Sequence, residues 1–357
     1  MRAPTPPPPE VQAFAFRLWS YKQGELVSLM VHIGHRLGLY RAMAGAGEVT
    51  AAELAELTGL DERWLTEWLR GQAAAELIES ADGLSFRLDE AGAQVLVEED
   101  TSLAYSAGAF GPPMSPVVLD ALVEAFRTGV GPSYDQRGPE AAHQTAAMSA
   151  PWARQALVPL IVPALDGVES KLRSGARVVD LGCGAGTALL TLARSFPESS
   201  FDGYDPSANA ISIARDAVAA AGVTNVSLYQ AGSSGLPSEA TFDFALVFDV
   251  LHDMVDPAGA LRSLRRSLRD DGTLLVKEVR CRPDFADNRG NPMLAMLYGF
   301  SITGCLASAT SEPGGAAIGT VGLHADLLGQ MATDAGFTQM QTHDFGDPAN
   351  LYYELRP

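Results

Sequence analysis

The chain is short of cysteine, of basic residues and of long apolar runs. Its three cysteines, Cys183, Cys281 and Cys305, are too few for a disulfide framework and show no metal-ligand spacing, which fits a reducing cytoplasm. Lys and Arg number 25 against 43 Asp and Glu, a formal net charge of -18. No cationic surplus is left to neutralise a phosphate backbone, so no nucleic-acid partner is expected. The longest apolar stretch, residues 293–307, is broken by Gly299, Ser301 and Gly304 and is too short to cross a bilayer. No basic, apolar, small-residue leader opens the chain, so the expectation is a cytoplasmic protein without a membrane partner. What is present is ample apolar material, 47% of 357 residues, enough for two domains.

Residues 1–10 include four consecutive prolines, Pro6 to Pro9, and read as a disordered polyproline-type tail. Residues 11–100 form a first domain. Phe14, Leu18 and Tyr21, then Leu26, Leu29, Met30, Ile33 and Leu37, repeat at helical spacing. Gly34 and Gly38 leave room for a neighbouring helix, and His32 and His35 read as packing or capping residues rather than ligands. Thr50 and Glu53 make a capping box, Asp61 caps the next helix through Trp64 and Trp68, and residues 76–79 and 84–88 flank an Asp82-Gly83 turn as a β-hairpin. Two short helices and a hairpin predict a winged helix. Its second helix carries Asp61, Glu62 and Glu67 against Arg63 and Arg70. That is a poor groove-reading surface, which favours a scaffold or dimerisation domain over DNA binding. Residues 101–175 read as helical linker, with His143, Met148 and Trp152 lining a substrate pocket or simply packing between domains.

Residues 178–186, Val-Val-Asp-Leu-Gly-Cys-Gly-Ala-Gly, organise the remainder of the chain. A buried strand ends in Asp180 and enters a loop of Gly182, Gly184 and Gly186, followed by an apolar helix, the opening of a nucleotide-binding βαβ unit. The third glycine comes one residue too early for the dinucleotide fingerprint, with Thr187 at the expected place. An acid before the loop sits poorly beside a pyrophosphate and suits a cationic amino-acid end. Further strands are expected at residues 200–205, 226–230, 242–248, 273–279, 338–342 and 351–355, separated by helices except at the end. That predicts a seven-stranded, doubly wound α/β sheet with one antiparallel strand.

Asp205 ends the second strand of this unit, about 25 residues after Asp180, where a ribose-binding acid is expected. The fourth strand runs into Asp249-Val250-Leu251-His252-Asp253-Met254, placing His252 near the ligand mouth. Imidazole can take a proton from a hydroxyl or amine near neutrality, with Asp249 or Asp253 to orient the ring and Glu278 within reach from the fifth strand. Cys183 reads as a small filler, His324 and His343 as surface or helix-start residues, and Trp64, Trp68, Met293 and Met296 as core or lid. The apolar insertion 282–322 reads as a substrate lid, because chemistry at the ligand mouth gains from excluding water and holding the reactants in line.

From residue 176 onward this pattern resembles the class I S-adenosylmethionine-dependent methyltransferases. With the winged helix it is similar to the small-molecule O-methyltransferases, and the segment Gly304 to Ser308 resembles one in a group of bacterial methyltransferases. The resemblance implies S-adenosylmethionine as cofactor, held by Asp180, Gly182, Gly184, Gly186, Asp205, Ser233 and Asp249. It also implies a small-molecule acceptor, no metal requirement and a homodimer. His252 and Asp253 match the family's His-Asp-Trp motif, with Met254 for the tryptophan, and Glu278 matches the flanking acid; a second flanking acid has Glu312 as its candidate. His252 is thereby expected to be the general base toward a hydroxyl. A cofactor-sensing winged-helix regulator without turnover, and C- or N-methylation, are the alternative readings.

Overall fold

The computed structural model describes residues 8–97, 108 and 110–357, so the tail at residues 1–7, the last residues of the first-domain reading, 98–100, and the linker reading over residues 101–107 and 109 lie outside the described residues. The chain divides into two compact units, residues 1–113 and 114–357.

The first unit opens with the helix Pro9–Arg36, which takes in the last tail residues because proline fits a helix's first turn. Gly38 breaks it at φ 69°, and the helix Leu39–Met43 comes next. Strand β1, Val49–Thr50, runs into the helix Ala51–Thr58, and the Thr50–Glu53 capping box forms as expected. Asp61 accepts from the Arg63 and Trp64 amides and starts the helix Glu62–Ala74. The hairpin is corrected: strand β2, Ser85–Phe86, pairs with β1, and only the Glu79–Arg87 bridge joins the two expected arms. Asp82 turns the chain by accepting from Leu84 and Ser85, and the apolar residues before it, Leu77 and Ile78, go to the core instead of a ladder. Trp68 is buried and donates to the Met30 carbonyl, whereas Trp64 lies outside, 80% exposed. His32 meets the Phe110 carbonyl at 2.9 Å, a packing role.

The second unit is built on strands β3 (Arg177–Leu181), β4 (Ser200–Asp205), β5 (Val226–Gln230), β6 (Phe242–Phe248), β7 (Leu268–Val279), β8 (Gln339–His343) and β9 (Asn350–Arg356). Their order is β5-β4-β3-β6-β7-β9-β8. All neighbours are parallel except β9, which runs antiparallel to both β7 and β8. The strand β7 begins five residues before the expected Thr273, and the Asp271-Gly272 turn sits in a register irregularity against Phe242 and Phe244. One face packs on the helices Pro257–Ser267 and Ala325–Ala335 through Leu261, Leu264 and Leu328. The other packs on residues 153–161, 168–174 and 187–195 through Leu157, Leu172 and Leu192. The order reverses between β3 and β6, so the mouth at their carboxyl ends is the topological switch point. Among the described residues no helix is long and apolar enough to cross a membrane.

In the first unit, a Cβ added at Gly34 would meet the Trp68 ring and come within 2.9 Å of Tyr40. We expect Gly34→Ala to cost about 1–3 kcal/mol through overpacking; denaturant unfolding that leaves the midpoint unchanged would contradict this contact.

Candidate active site

Asp180 sits on β3, buried on all sides, and hands the chain to the glycine loop. Gly182, Gly184 and Gly186 all have positive φ, 79°, 54° and 77°, so each avoids the strain a side chain would bring. A Cβ at Gly182 would meet Val250 at 2.5 Å, whereas one at Gly184 would point into open space. Gly182 thus packs the loop against the turn after β6, and Gly184 leaves a ligand free access to the backbone. The Cys183 sulfur lies in the core beside Gly203, and burial pushes its thiol well up, which fits a filler.

At the end of β4, Asp205 accepts from the Gly184 amide at 3.0 Å and from the Ser207 amide at 2.8 Å. Ser207 itself caps the helix Ala208–Ala221, so Asp205 is not needed as a cap. The two carboxylates repel: burial and then Asp205's charge push Asp180 up to about 7. Burial also raises Asp205. Among the described residues no Lys or Arg forms an ion pair with either. Ser233 is half-buried in the single turn Ser233–Gly235 that comes after β5.

The turn after β6 carries the second half of the site. Asp249 takes a left-handed φ of 55°, a conformation found where a side chain must be aimed. Its carboxylate pairs with the buried Lys277 and accepts from Asn350 at 2.6 Å. It therefore does not orient His252, and neither does Asp253. Glu278 does. Its Oε1 accepts from the Leu251 amide at 3.0 Å, and its Oε2 lies 2.5 Å from His252 Nδ1, with both side chains buried. Burial opposes charge on the imidazole, but the Glu278 carboxylate outweighs it and raises the ring well above its ordinary value. With Nδ1 engaged, Nε2 is the atom left for chemistry.

Beyond the ring lie residues that sequence reasoning did not join to it. Tyr134 faces Asp253, whose carboxyl burial pushes up to about 7, and its hydroxyl is 3.9 Å from the Cys305 sulfur. Nothing in Gly131-Pro132-Ser133-Tyr134 distinguishes it from linker. Asp135 ties this stretch to Ser207 and Asn209 at the start of the helix after β4. The insertion folds over the turn: the Gly319 amide donates to the His252 carbonyl at 3.0 Å and Ala316 to that of Val255 at 2.9 Å. Glu312 is exposed there. His324 caps the helix Ala325–Ala335. His343 lies instead on β8, 3.0 Å from Glu354. Trp152 packs edge-on against Phe248 and beneath the Lys277 ammonium; His143, on the same helix, Pro139–Trp152, is exposed.

A switch-point glycine loop flanked by strand-end acids fits the S-adenosylmethionine-dependent methyltransferase domain expected from the sequence. The comparisons agree. Residues 172–315 match the family model described as methyltransferase domain, and residues 25–97 match the Rv2258c-like winged HTH domain. Residues 172–315 are thus matched as a methyltransferase domain, with a winged helix-turn-helix domain matched ahead of it. Over 110 residues it is 30% identical to demethylmenaquinone methyltransferase of Shouchella clausii, a match covering 30% of this chain and 47% of that one. The chain spans less than half the length of the curated relatives it matches, 47% and 32%. Among solved structures it resembles a putative O-methyltransferase of Nostoc punctiforme, with TM-score 0.71, 17% identity, and coverage of 99% of this chain and 100% of that one. It also resembles human N-acetylserotonin methyltransferase in complex with SAM, with TM-score 0.65, 18% identity, and coverage of 96% and 97%. At these identities the likeness is one of fold.

Asp180 gives a pH test of the site. Its native value, about 7 against an ordinary 3.8, means the folded state keeps a proton that the unfolded chain loses in between. Stability from this group therefore falls as pH rises from about 4 to about 7. Asp180→Asn is expected to raise the melting temperature of the ligand-free protein most at pH 8 and clearly less at pH 5, where only about a third of the penalty has developed. Equal shifts at both values would show that the charge of Asp180 is not the cause.

Proposed function

We propose that the protein transfers a methyl group from S-adenosylmethionine to a hydroxyl of a small molecule, with His252 as general base. The observation that carries this reading is the buried Glu278–His252 pair, 2.5 Å apart, on the turn beside the glycine loop. When bound, S-adenosylmethionine supplies an electrophilic methyl group on a sulfonium. The residues fit it: among the described residues two buried or half-buried carboxylates, Asp180 and Asp205, have no Lys or Arg ion pair, and a side chain at Gly184 would face open space.

In this reading Asp180 receives the cationic amino-acid end through the loop backbone, and Asp205 accepts from the ribose hydroxyls. Ser233 flanks the adenine side, and the left-handed Asp249 turns the chain toward His252. His252 Nε2 takes the acceptor's proton as the new O–C bond forms, and Glu278 stabilises the imidazolium that results. Asp253 with Tyr134 shapes the acceptor side. S-adenosylhomocysteine leaves with the electron pair of the broken S–C bond. The insertion excludes water from the reacting atoms.

We expect His252→Ala to lower kcat about 10²–10⁴-fold while S-adenosylhomocysteine still binds, and Glu278→Gln to lower kcat in the same direction. Asp205→Ala should weaken calorimetric binding of S-adenosylhomocysteine. Full turnover of His252→Ala on the true acceptor would sink the base assignment, and no binding to the wild type would sink the cofactor assignment for this chain.

A second part of the proposal is that the protein acts as a homodimer in the cytoplasm. The first half of the helix Pro9–Arg36 exposes Phe14, Phe16, Leu18, Trp19 and Tyr21, with Phe16 at 81% and Trp19 at 71%. An aromatic surface of this density marks an association face, and a second copy offers the same face. Light scattering after size exclusion should give a dimer for the wild type and a monomer for the pair Phe16→Asp, Trp19→Asp. A monomeric wild type overturns this part alone.

A further inference from the structure

The His252 ring has a second neighbour that the transfer reaction does not use. Cys305 ends a π-helical turn, Ser301–Cys305, in the insertion. Turns of this kind widen a helix locally and often occur where a side chain is presented to a site. The Cys305 sulfur, a ring nitrogen of His252 and a carboxylate oxygen of Asp253 all lie within 4.8 Å of one another. Since His252 Nδ1 is engaged by Glu278, the nitrogen facing this cluster is Nε2.

We propose that His252 Nε2, Cys305 Sγ and an Asp253 oxygen form a site for a thiophilic divalent cation, zinc being the reference case, and that its occupancy switches off methyl transfer. The inference rests on the reading of His252 as base, because the cation and the acceptor's proton compete for one lone pair.

Three observations carry it. The donor set is mixed nitrogen, sulfur and carboxylate, which suits zinc and not magnesium or calcium. The imidazole is held from behind by a carboxylate, the arrangement that orients metal-binding histidines and makes the ring a better donor. The charge is also right: Asp253 and Glu278 lie together, with Asp205 contributing to the same field, and His252 is the one side chain of the cluster that can carry positive charge. The nearest fixed cation is Arg137, whose guanidinium lies over the Tyr134 ring at 5.0 Å and beside Gly304. Tetrahedral zinc brings donors to about 3.3–3.8 Å from one another, so the cluster must contract by about an ångström. A fourth position remains for water, with the Tyr134 hydroxyl beside it, 3.9 Å from the sulfur. Binding displaces the thiol proton, and any proton on Nε2, to solvent. Such a site is inhibitory and leaves the reaction itself free of any metal requirement.

The test uses full-length protein freed of metal with a chelator. Zinc titrated by calorimetry should bind with one equivalent per chain, and cobalt(II) should give the near-ultraviolet charge-transfer band of a thiolate ligand. Cys305→Ala and Cys305→Ser should lose that band and weaken zinc by at least about 100-fold, and the methyl transfer each retains should be insensitive to zinc. Zinc should inhibit the wild type and spare both variants. Cobalt without a thiolate band, zinc binding that survives Cys305→Ala, or a band lost in Cys281→Ala instead would each overturn the site. His252→Ala separates the two readings: if it keeps turnover, the base assignment fails, and if it keeps zinc, the metal site fails.

Discussion

The second unit depends on one buried carboxylate. Glu278 stands near the end of β7 with both oxygens committed, one to the Leu251 amide and one to the His252 ring. The amide bond fixes where the chain turns after β6; the ring bond fixes which way the imidazole faces. A carboxylate this deep is tolerated because both of its partners are donors. Val250, on the same turn, packs on the glycine loop at Gly182. The two ligand-facing segments at the switch point are thereby held in one rigid relation before any ligand arrives, which is the condition for catalysis by positioning.

The sheet was legible because its central strands, β3, β6 and most of β7, are buried on both faces and read as short apolar runs between helices. Strand ends at Asp205 and Phe248 fell where expected, and the antiparallel β9 followed from a connection too short for a crossover. What misled was local propensity without its tertiary partner. Residues 76–79 and 84–88 have hairpin chemistry, yet β1 competes for Ser85–Phe86 once the helix between them is capped. Trp64 is large and aromatic but sits on the outer face of its helix, where Leu65 and Trp68 have already taken the core.

The site divides in the same way. Residues contiguous with a strand end, Asp180, the glycines, Asp205 and His252, could be located from sequence because strand ends are where this fold presents ligands. The orienter of His252 was ambiguous. Asp249 and Asp253 are nearer in sequence, but Lys277 and Asn350 occupy the first, and the second faces Tyr134. Tyr134 and Cys305 could not be found at all. They are 171 residues apart, in a loop and an irregular helix, and no periodicity links such elements.

The stretch around Tyr134 has a consequence for how such a protein can diversify. Gly131 is bonded to Thr310 and packs flat on Ala307, Tyr134 meets Cys305, and Asp135 grips the helix after β4. The insertion is therefore not an independent cassette. Grafting it into a relative, or exchanging it during evolution, would leave a gap where Gly131 lay and an unsupported tyrosine at the acceptor side. Under the proposed function, acceptor range should change through paired exchanges of the two segments, so a library that varies the insertion alone samples mostly broken combinations.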